Sequence, residues 1–183
     1  MNDLTFPTVV TDRLILNQFT EMDIPSLVKY GDNINVARNT LNIPNPYTVT
    51  DAENWVKLCK EDFLNKTRHS FAIRLKETLH FIGGIGLTVN KRFNHAELGY
   101  WIGEPFWNTG YATEAAESIV AFGFDTLNLH KIYATHILEN PASGKVMQHI
   151  GMIKEAEMID HSFRAGKYST LVQYGIITTK QGH

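Results

Sequence analysis

The chain has 183 residues, of which 43% are hydrophobic and 20% charged, and its formal net charge is −2. This composition is typical of a protein with a hydrophobic core, and the weak negative charge argues against nucleic-acid binding by bulk electrostatics. The only cysteine, Cys59, excludes an intramolecular disulfide. Because the N-terminus resembles no signal peptide and no apolar run approaches the ~20 residues that span a bilayer, we expect one cytoplasmic domain over residues 1–183.

The first half of the chain reads as a strand followed by helices. Apolar and polar residues alternate over Asp12–Phe19, which predicts a strand. Thr20 is a suitable N-cap for the helix that follows. Leu41–Asp51 contains prolines and predicts a loop, after which a second long helix begins at Thr50 or Asp51. Cys59 lies on the apolar stripe of that helix, so we expect a packed thiol rather than a nucleophile.

The second half is richer in strands. Three strand-like runs come first: His69–Leu75, His80–Val89 and Asn94–Gly103. A helix, Gly110–Leu127, follows them, and then come a strand, Lys131–Leu138, and a short helix, Asn140–Gly151. Two strands, Met152–Phe163 and Gly166–Thr179, close the chain. Consecutive strands beside strand–helix–strand units predict a mixed sheet with helices on both faces. The fold class is therefore α/β (α+β).

The loop before the central helix has a composition suited to an anion. A helix N-terminus presents amides without intrahelical partners and a partial positive charge, and small residues such as Gly110 and Ala112 let phosphate oxygens approach the backbone. Glu114 would repel phosphate unless it points away, as we expect. Taken alone, the residues of this loop favour an ordinary helix capped by Asn108 or Thr109 over an anion site.

Other ligand motifs are missing from the sequence. Neither G-x-x-x-x-G-K-[ST] nor a helix-opening G-x-G-x-x-G occurs, and "GGIG" (Gly83–Gly86) falls within strand-like sequence, which predicts a bulge or close backbone approach. The eight histidines form no metal-binding motif, so we expect no metal.

Two segments carry a resemblance to a known family. "AELGYWIGEPFWNTGYATEA" (Ala96–Ala115) resembles the acetyl-CoA-binding segment of GCN5-related N-acetyltransferases (GNAT), in the RimJ/RimL-like branch of ribosomal-protein N-terminal acetyltransferases. The family signature [Q/R]-x-x-G-x-[G/A] corresponds to Trp107–Ala112, with Trp in the first position. "ENPASGKVMQHIGM" resembles the N-x-x-S…G-F segment, with Met152 where Phe is usual. The resemblance implies a mostly antiparallel sheet of six to seven strands with a splayed central pair.

The resemblance also implies the donor and how it is held. Acetyl-CoA would be the cosubstrate, with its pyrophosphate on the amides from Asn108 through Thr113, its pantetheine arm along Tyr100–Ile102, and Asn140 bonded to that arm. The residues implied in donor binding are Tyr100, Trp101, Ile102, Asn108, Thr109, Gly110, Tyr111, Ala112, Thr113, Asn140 and Ser143.

The resemblance suggests two catalytic residues. Glu97 corresponds to a base that deprotonates the amine, with an exposed strand charge as the alternative and His95 as a lesser candidate base. Ser143 corresponds to the group that serves the leaving thiolate, with helix capping as its alternative. A tyrosine that many family members use falls on Met147 here.

The implied reaction is direct acetyl transfer to a primary amine in a ternary complex. A catalytically silent acyl-CoA-binding regulator, or an O-acyltransferase or longer-chain acyltransferase, stays open because fold does not fix substrate. The acceptor is a protein N-terminus or a small-molecule amine, and homo-oligomerisation is undecided. The resemblance places the acceptor groove at Ile34–Tyr47, Trp55 and Asp160–Tyr168, with Arg38, Tyr47, Phe71 and Phe163 as candidate lining residues. Ser169 replaces an Asp that is usual in the branch.

Overall fold

The computed structural model describes residues 5–164 and 166–179, and within them it contains a single eight-stranded sheet in the order β1-β2-β3-β4-β5-β6-β8-β7. The strands are β1 Val9–Val10, β2 Leu14–Gln18, β3 Arg68–Leu75, β4 Phe81–Asn90, β5 His95–Ile102, β6 Lys131–Ile137, β7 Ile153–Arg164 and β8 Lys167–Ile177. The helices are α1 Ile24–Gly31, α2 Ile34–Asn39, α3 Val49–Leu64, α4 Tyr111–Asp125 and α5 Pro141–His149.

The sheet confirms the predicted mixed and mostly antiparallel arrangement. Every neighbouring pair is antiparallel except β5 and β6, which are parallel. The expected count of six to seven strands is too low, because the two residues of β1 add a short edge strand against β2. So short a segment has no alternation from which a strand could be predicted.

Helices cover both faces of the sheet, as predicted. Successive side chains of a strand point to opposite faces. In β3, Phe71 belongs to the core cluster that contains Ile119 of α4. Its neighbour Ala72 belongs to a second cluster with Leu27 of α1 and Cys59 of α3.

The helix boundaries differ slightly from the sequence-based expectation. Thr20 is the N-cap of a 3₁₀ turn, Glu21–Asp23, that leads into α1. The long helix α3 begins at Val49 rather than at Thr50 or Asp51. Thr48 is its N-cap, and Asp51 closes a capping box by accepting a hydrogen bond from the Thr48 amide at 2.8 Å.

Glycines allow a close approach of the backbone at two places. A Cβ on Gly123 of α4 would lie 2.6 Å from Ile132 Cδ1, so a larger residue would force the helix away from the sheet. Gly83–Gly86 lies within β4, as expected, and the register against β3 shifts at Ile73 and Arg74.

The buried face of α4 differs in part from the one that apolar residues at helical spacing predict, which consists of Ala112, Ala116, Ile119, Val120, Gly123, Phe124 and Leu127. Ala115 and Phe122 are buried, whereas Ala112, Phe124 and Leu127 are only half-buried.

The central strands β5 and β6 diverge, which confirms the splayed pair. They pair only from His95–Glu97 on β5 to Lys131–Tyr133 on β6. Beyond this point β5 stays paired with β4 as far as Ile102, and β6 stays paired with β8 as far as Ile137. A crevice therefore opens in the middle of an otherwise continuous sheet.

Candidate active site

The crevice between the diverging strands has a volume of about 490 Å³ and is lined by four parts of the chain. They are the end of α2, the free half of β5, the loop and first turn of α4, and one face of α5. The structure brings together all the residues proposed for donor binding except Thr109. Its lining also includes residues outside that set, among them Val36, Asn39, Thr40, Trp107 and Lys145.

The first turn of α4 has no side-chain cap. Gly110 is its N-cap residue, with a left-handed φ of 82°, and no side chain accepts a hydrogen bond from the first turn in the described structure. Thr109 Oγ1 instead donates to the Phe106 carbonyl at 2.7 Å. The alternative in which Asn108 or Thr109 caps the helix is therefore wrong. The amides and the positive end of the helix dipole remain available to an anion in the crevice.

Glu114, in the same turn, is held outside the crevice. Its carboxylate accepts hydrogen bonds from Arg13 Nε at 2.6 Å, from the Arg13 amide at 2.8 Å and from Thr11 Oγ1 at 2.6 Å. Burial raises the pKa of Glu114, but these hydrogen bonds and the Arg13 charge outweigh burial and leave the pKa below its ordinary value. The expectation that Glu114 points away from the anion site is confirmed.

Arg13 also holds the loop in place from its outer side. Its Nη1 donates to the Thr109 carbonyl at 3.0 Å, and its guanidinium lies 4.7 Å from the centroid of the Tyr111 ring. No sequence signal identified Arg13, because it is 96 residues away from Thr109 along the chain.

Ser143 and Tyr100 meet across the crevice. Tyr100 Oη lies 2.7 Å from Ser143 Oγ and donates to the Ser143 carbonyl at 3.1 Å. Burial raises the pKa of Tyr100 to about 12, and the Ser143 hydrogen bond opposes part of that rise. The resemblance implied a role only for the backbone of Tyr100, and no sequence signal indicated this side-chain pair.

Asn140 is the N-cap of α5. Its Oδ1 accepts a hydrogen bond from the Ser143 amide at 3.4 Å, and its Nδ2 donates to the Asn39 carbonyl at 3.4 Å. Asn140 thus lines the crevice while fixing the start of the helix that carries Ser143.

Glu97 lies on the opposite face of β5 from Tyr100. Tyr100 packs with the α4 core cluster, whereas Trp101 packs with the α1/α3 cluster, and Glu97 shares the face of Trp101 by strand alternation. Glu97 Oε1 accepts a hydrogen bond from Thr135 Oγ1 on β6 at 3.2 Å. The half-buried Glu97 is therefore at the point where β5 and β6 separate, but it does not line the crevice.

The family model described as "Acetyltransferase (GNAT) domain" matches residues 13–153. The chain belongs to the GNAT acetyltransferase family. It is therefore an acyltransferase, an acetyl-CoA-dependent N-acetyltransferase, and the matched range contains both walls of the crevice.

Relatives of this GNAT enzyme extend over almost all of its length. The uncharacterized N-acetyltransferase YoaA of Bacillus subtilis is 29% identical over 178 residues, covering 96% of this chain and 99% of the relative. The spermidine N(1)-acetyltransferase of Vibrio cholerae is 26% identical over 160 residues, covering 84% and 88%.

Solved structures share the fold of this GNAT enzyme. A GNAT-family acetyltransferase from Bacillus anthracis has a TM-score of 0.84 at 24% identity, covering 93% of this chain and 98% of that one. RimL, a ribosomal L7/L12 alpha-N-protein acetyltransferase solved in complex with coenzyme A, has a TM-score of 0.83 at 16% identity, covering 93% and 98%.

The crevice of the GNAT enzyme has the chemistry that coenzyme A requires. The uncapped α4 turn faces it, and among its described lining residues there is no Asp or Glu to repel phosphate. Lys145, on α5, brings a positive charge to the lining. The lining residues therefore fit a ligand that carries phosphate groups.

Of the four candidate acceptor-groove residues, two are not available to a substrate. Phe71 is fully buried in the core, and Tyr47 is buried against Gly31. Arg38 and Phe163 are exposed. The two predicted groove segments do meet, because the Arg164 guanidinium donates hydrogen bonds to the carbonyls of Ala37, Thr40 and Ile43.

The remaining sequence predictions concern Cys59, metal ions and membranes. Cys59 is buried, and burial raises its pKa to about 12, which confirms a packed thiol. The described residues include no cluster of three or more His, Cys, Asp or Glu side chains that could hold a metal ion. No helix within residues 5–164 and 166–179 is long and apolar enough to cross a bilayer.

Proposed function

We propose that this GNAT enzyme transfers the acetyl group of acetyl-CoA directly to a primary amine bound in the same complex. The observation that carries the proposal is the uncapped start of α4, which opens into the crevice between β5 and β6. Acetyl-CoA supplies an acetyl thioester there. The chain must hold this donor, accept a proton from the amine and stabilise the departing thiolate.

The donor is held by backbone groups and small side chains. The amides from Asn108 through Thr113 bind its pyrophosphate, since the left-handed Gly110 leaves the first turn of α4 open. Thr109 contributes only through its backbone, because its side chain bonds to Phe106. The free half of β5, Tyr100–Ile102, and Asn140 contact the pantetheine arm where β6 no longer pairs with β5.

Two side chains act on protons, one on each face of β5. Glu97 takes a proton from the amine, directly or through water, with its carboxylate oriented by the Thr135 hydroxyl. Ser143 donates a hydrogen bond to the sulfur as the thiolate leaves. Their placement on opposite faces matches a reaction in which the amine and the thiol lie on opposite sides of the acetyl carbonyl.

The acceptor is a primary amine, such as a peptide N-terminus or a small-molecule amine. It approaches the acetyl group from the face of β5 that carries Glu97, outside the donor crevice. The relatives include a spermidine enzyme of Vibrio cholerae and the ribosomal-protein enzyme RimL, so both kinds of amine belong in the test.

Calorimetric titration with acetyl-CoA, followed by thiol-release assays over a panel of acceptors, tests the proposal. The panel contains peptides with free N-termini, small monoamines, spermidine and matched alcohols. We expect one donor site and turnover with amines but not with the matched alcohols. Absence of donor binding would contradict the site itself.

The same assay separates the alternative functions. Binding without turnover across the panel would favour a silent acyl-CoA-binding regulator. Faster turnover with alcohols, or with longer acyl-CoA donors, would favour an O-acyltransferase or a longer-chain acyltransferase.

A further inference from the structure

The Tyr100 hydroxyl is the one group of the described structure that is bonded to the Ser143 side chain. It projects from the half of β5 that has separated from β6, and it reaches α5 on the other side of the crevice. Both residues line the crevice. Their contact is therefore placed where a ligand between the strands would meet it.

The pair has two hydrogen-bonding arrangements that use the same atomic positions. A tyrosine hydroxyl has one proton, and Ser143 offers it two acceptors, the Oγ at 2.7 Å and the carbonyl oxygen at 3.1 Å. If Tyr100 donates to the carbonyl, the serine proton is directed to Tyr100 Oη. If Tyr100 donates to Ser143 Oγ, the serine proton is free to point into the crevice.

An anion in the crevice favours the second arrangement. Hydrogen bonds to charged acceptors are stronger than those between neutral groups. A thiolate that forms beside Ser143 attracts the serine proton, and Tyr100 then satisfies the lone pair of Ser143 Oγ. The change needs two hydroxyl rotations and no movement of heavy atoms. Burial, which raises the pKa of Tyr100 to about 12, keeps its hydroxyl protonated as a donor.

We propose that Tyr100 is a positioning residue that directs the hydroxyl proton of Ser143 toward the leaving thiolate. This inference rests on the proposed function, in which Ser143 serves the thiolate. A purely structural role, joining β5 to α5, would affect stability and leave turnover unchanged. Tyr100 would then resemble Tyr174 of β8, whose hydroxyl accepts a hydrogen bond from Gln148 of the same helix at 3.1 Å.

Steady-state kinetics of Tyr100→Phe, Ser143→Ala and the double variant test the proposal, with Tyr174→Phe as the matched control. Tyr174 is also a buried tyrosine tied to α5, but it does not line the crevice. We expect Tyr100→Phe to lower kcat by about tenfold, the change that corresponds to ~1.4 kcal/mol and to a weak hydrogen bond to a charged group. Acetyl-CoA affinity should stay within about threefold of wild type, a difference under 1 kcal/mol. Tyr174→Phe should leave kcat unchanged.

The double variant distinguishes a coupled pair from independent effects. If Tyr100 acts through Ser143, the double variant has the kcat of Ser143→Ala alone. The inference would be overturned if the kcat losses of the two single variants multiply in the double variant. It would also be overturned if kcat is unchanged in Tyr100→Phe but reduced in Ser143→Ala. Either result would leave the proposed function intact. If wild type fails to bind acetyl-CoA or to acetylate any amine, the proposed function itself fails.

Discussion

At the scale of single residues, Gly110 determines whether the donor phosphates can reach the backbone. Its left-handed φ of 82° is one that L-residues rarely adopt, and a Cβ there would lie 3.4 Å from Arg13 Nη2. A substitution at Gly110 can therefore weaken acetyl-CoA binding through its charge or through backbone strain, and the two effects need separate variants. Asn tolerates the left-handed region better than other residues and carries no charge.

Gly110→Glu should weaken acetyl-CoA binding by at least tenfold, which corresponds to about 1.4 kcal/mol, because it adds a negative charge to the turn whose amides bind the pyrophosphate and offers Arg13 a second carboxylate partner. Gly110→Asn is the control for backbone strain and should lose less affinity. Calorimetric titration measures both. An affinity of Gly110→Glu within about twofold of wild type would show that the phosphates bind elsewhere.

Glu97 tests the other side of the reaction. Glu97→Gln keeps the shape of the side chain and an oxygen that can accept the Thr135 hydrogen bond, but it removes the basic carboxylate. We expect kcat to fall on the order of a hundredfold, with acetyl-CoA affinity unchanged. Thermal unfolding provides the control, because a half-buried carboxylate without a described salt bridge contributes little to stability. Wild-type turnover in Glu97→Gln would assign the base elsewhere, with His95 the next residue to substitute.

At the scale of elements, the start of β3 contains a buried histidine that the reaction does not use. His69 Nδ1 has no hydrogen-bond partner within the described residues, and the ring packs edge-on against Phe63 of α3 and Phe122 of α4. Burial lowers the pKa of His69 below its ordinary value of 6.5. The folded protein therefore binds this proton less readily than the unfolded chain does.

This difference gives the stability a defined pH dependence. Stability from the neutral His69 is complete above the unfolded pKa of about 6.5 and is lost as the pH falls below it. His69→Phe keeps an aromatic ring and removes the titration, so the decrease in Tm between about pH 7.5 and pH 5.5 should be smaller than in wild type. Differential scanning calorimetry measures the two curves.

An exposed histidine supplies the comparison for that experiment. His161 lies on β7 and is exposed, so His161→Gln should retain the wild-type pH dependence of Tm. Equal decreases in Tm for wild type and His69→Phe would mean that His69 titrates alike in the folded and unfolded chains.

At the scale of the whole molecule, local patterns predicted most of the strands and helices. The alternation in Asp12–Phe19 and the small residues around Gly110 are patterns of neighbouring residues, so they can be recognised from the sequence alone. The splay of β5 and β6 came from the resemblance of Ala96–Ala115 to a known family. These features could be predicted without knowing which distant segments contact each other.

The failures concern contacts between distant segments. Tyr100 and Ser143 are 43 residues apart, and Arg13 and Glu114 are 101 residues apart, so only the folded sheet brings them together. Phe71 is apolar and in a strand, and the sequence could not decide whether it faced the core or the groove. The burial of Phe124 and Leu127 was overestimated for a similar reason, since it depends on how closely α4 packs on the sheet.

The central claim is direct transfer from a donor in the crevice to an amine. To test it, excess enzyme is mixed with acetyl-CoA labelled in its acetyl group, with and without a peptide acceptor. Protein and peptide are then separated, and mass spectrometry measures the label on each. Direct transfer predicts that the label appears on the peptide amine and never on the protein. Labelled protein that passes its acetyl group to the peptide, or thiol release without an acetylated amine, would contradict it.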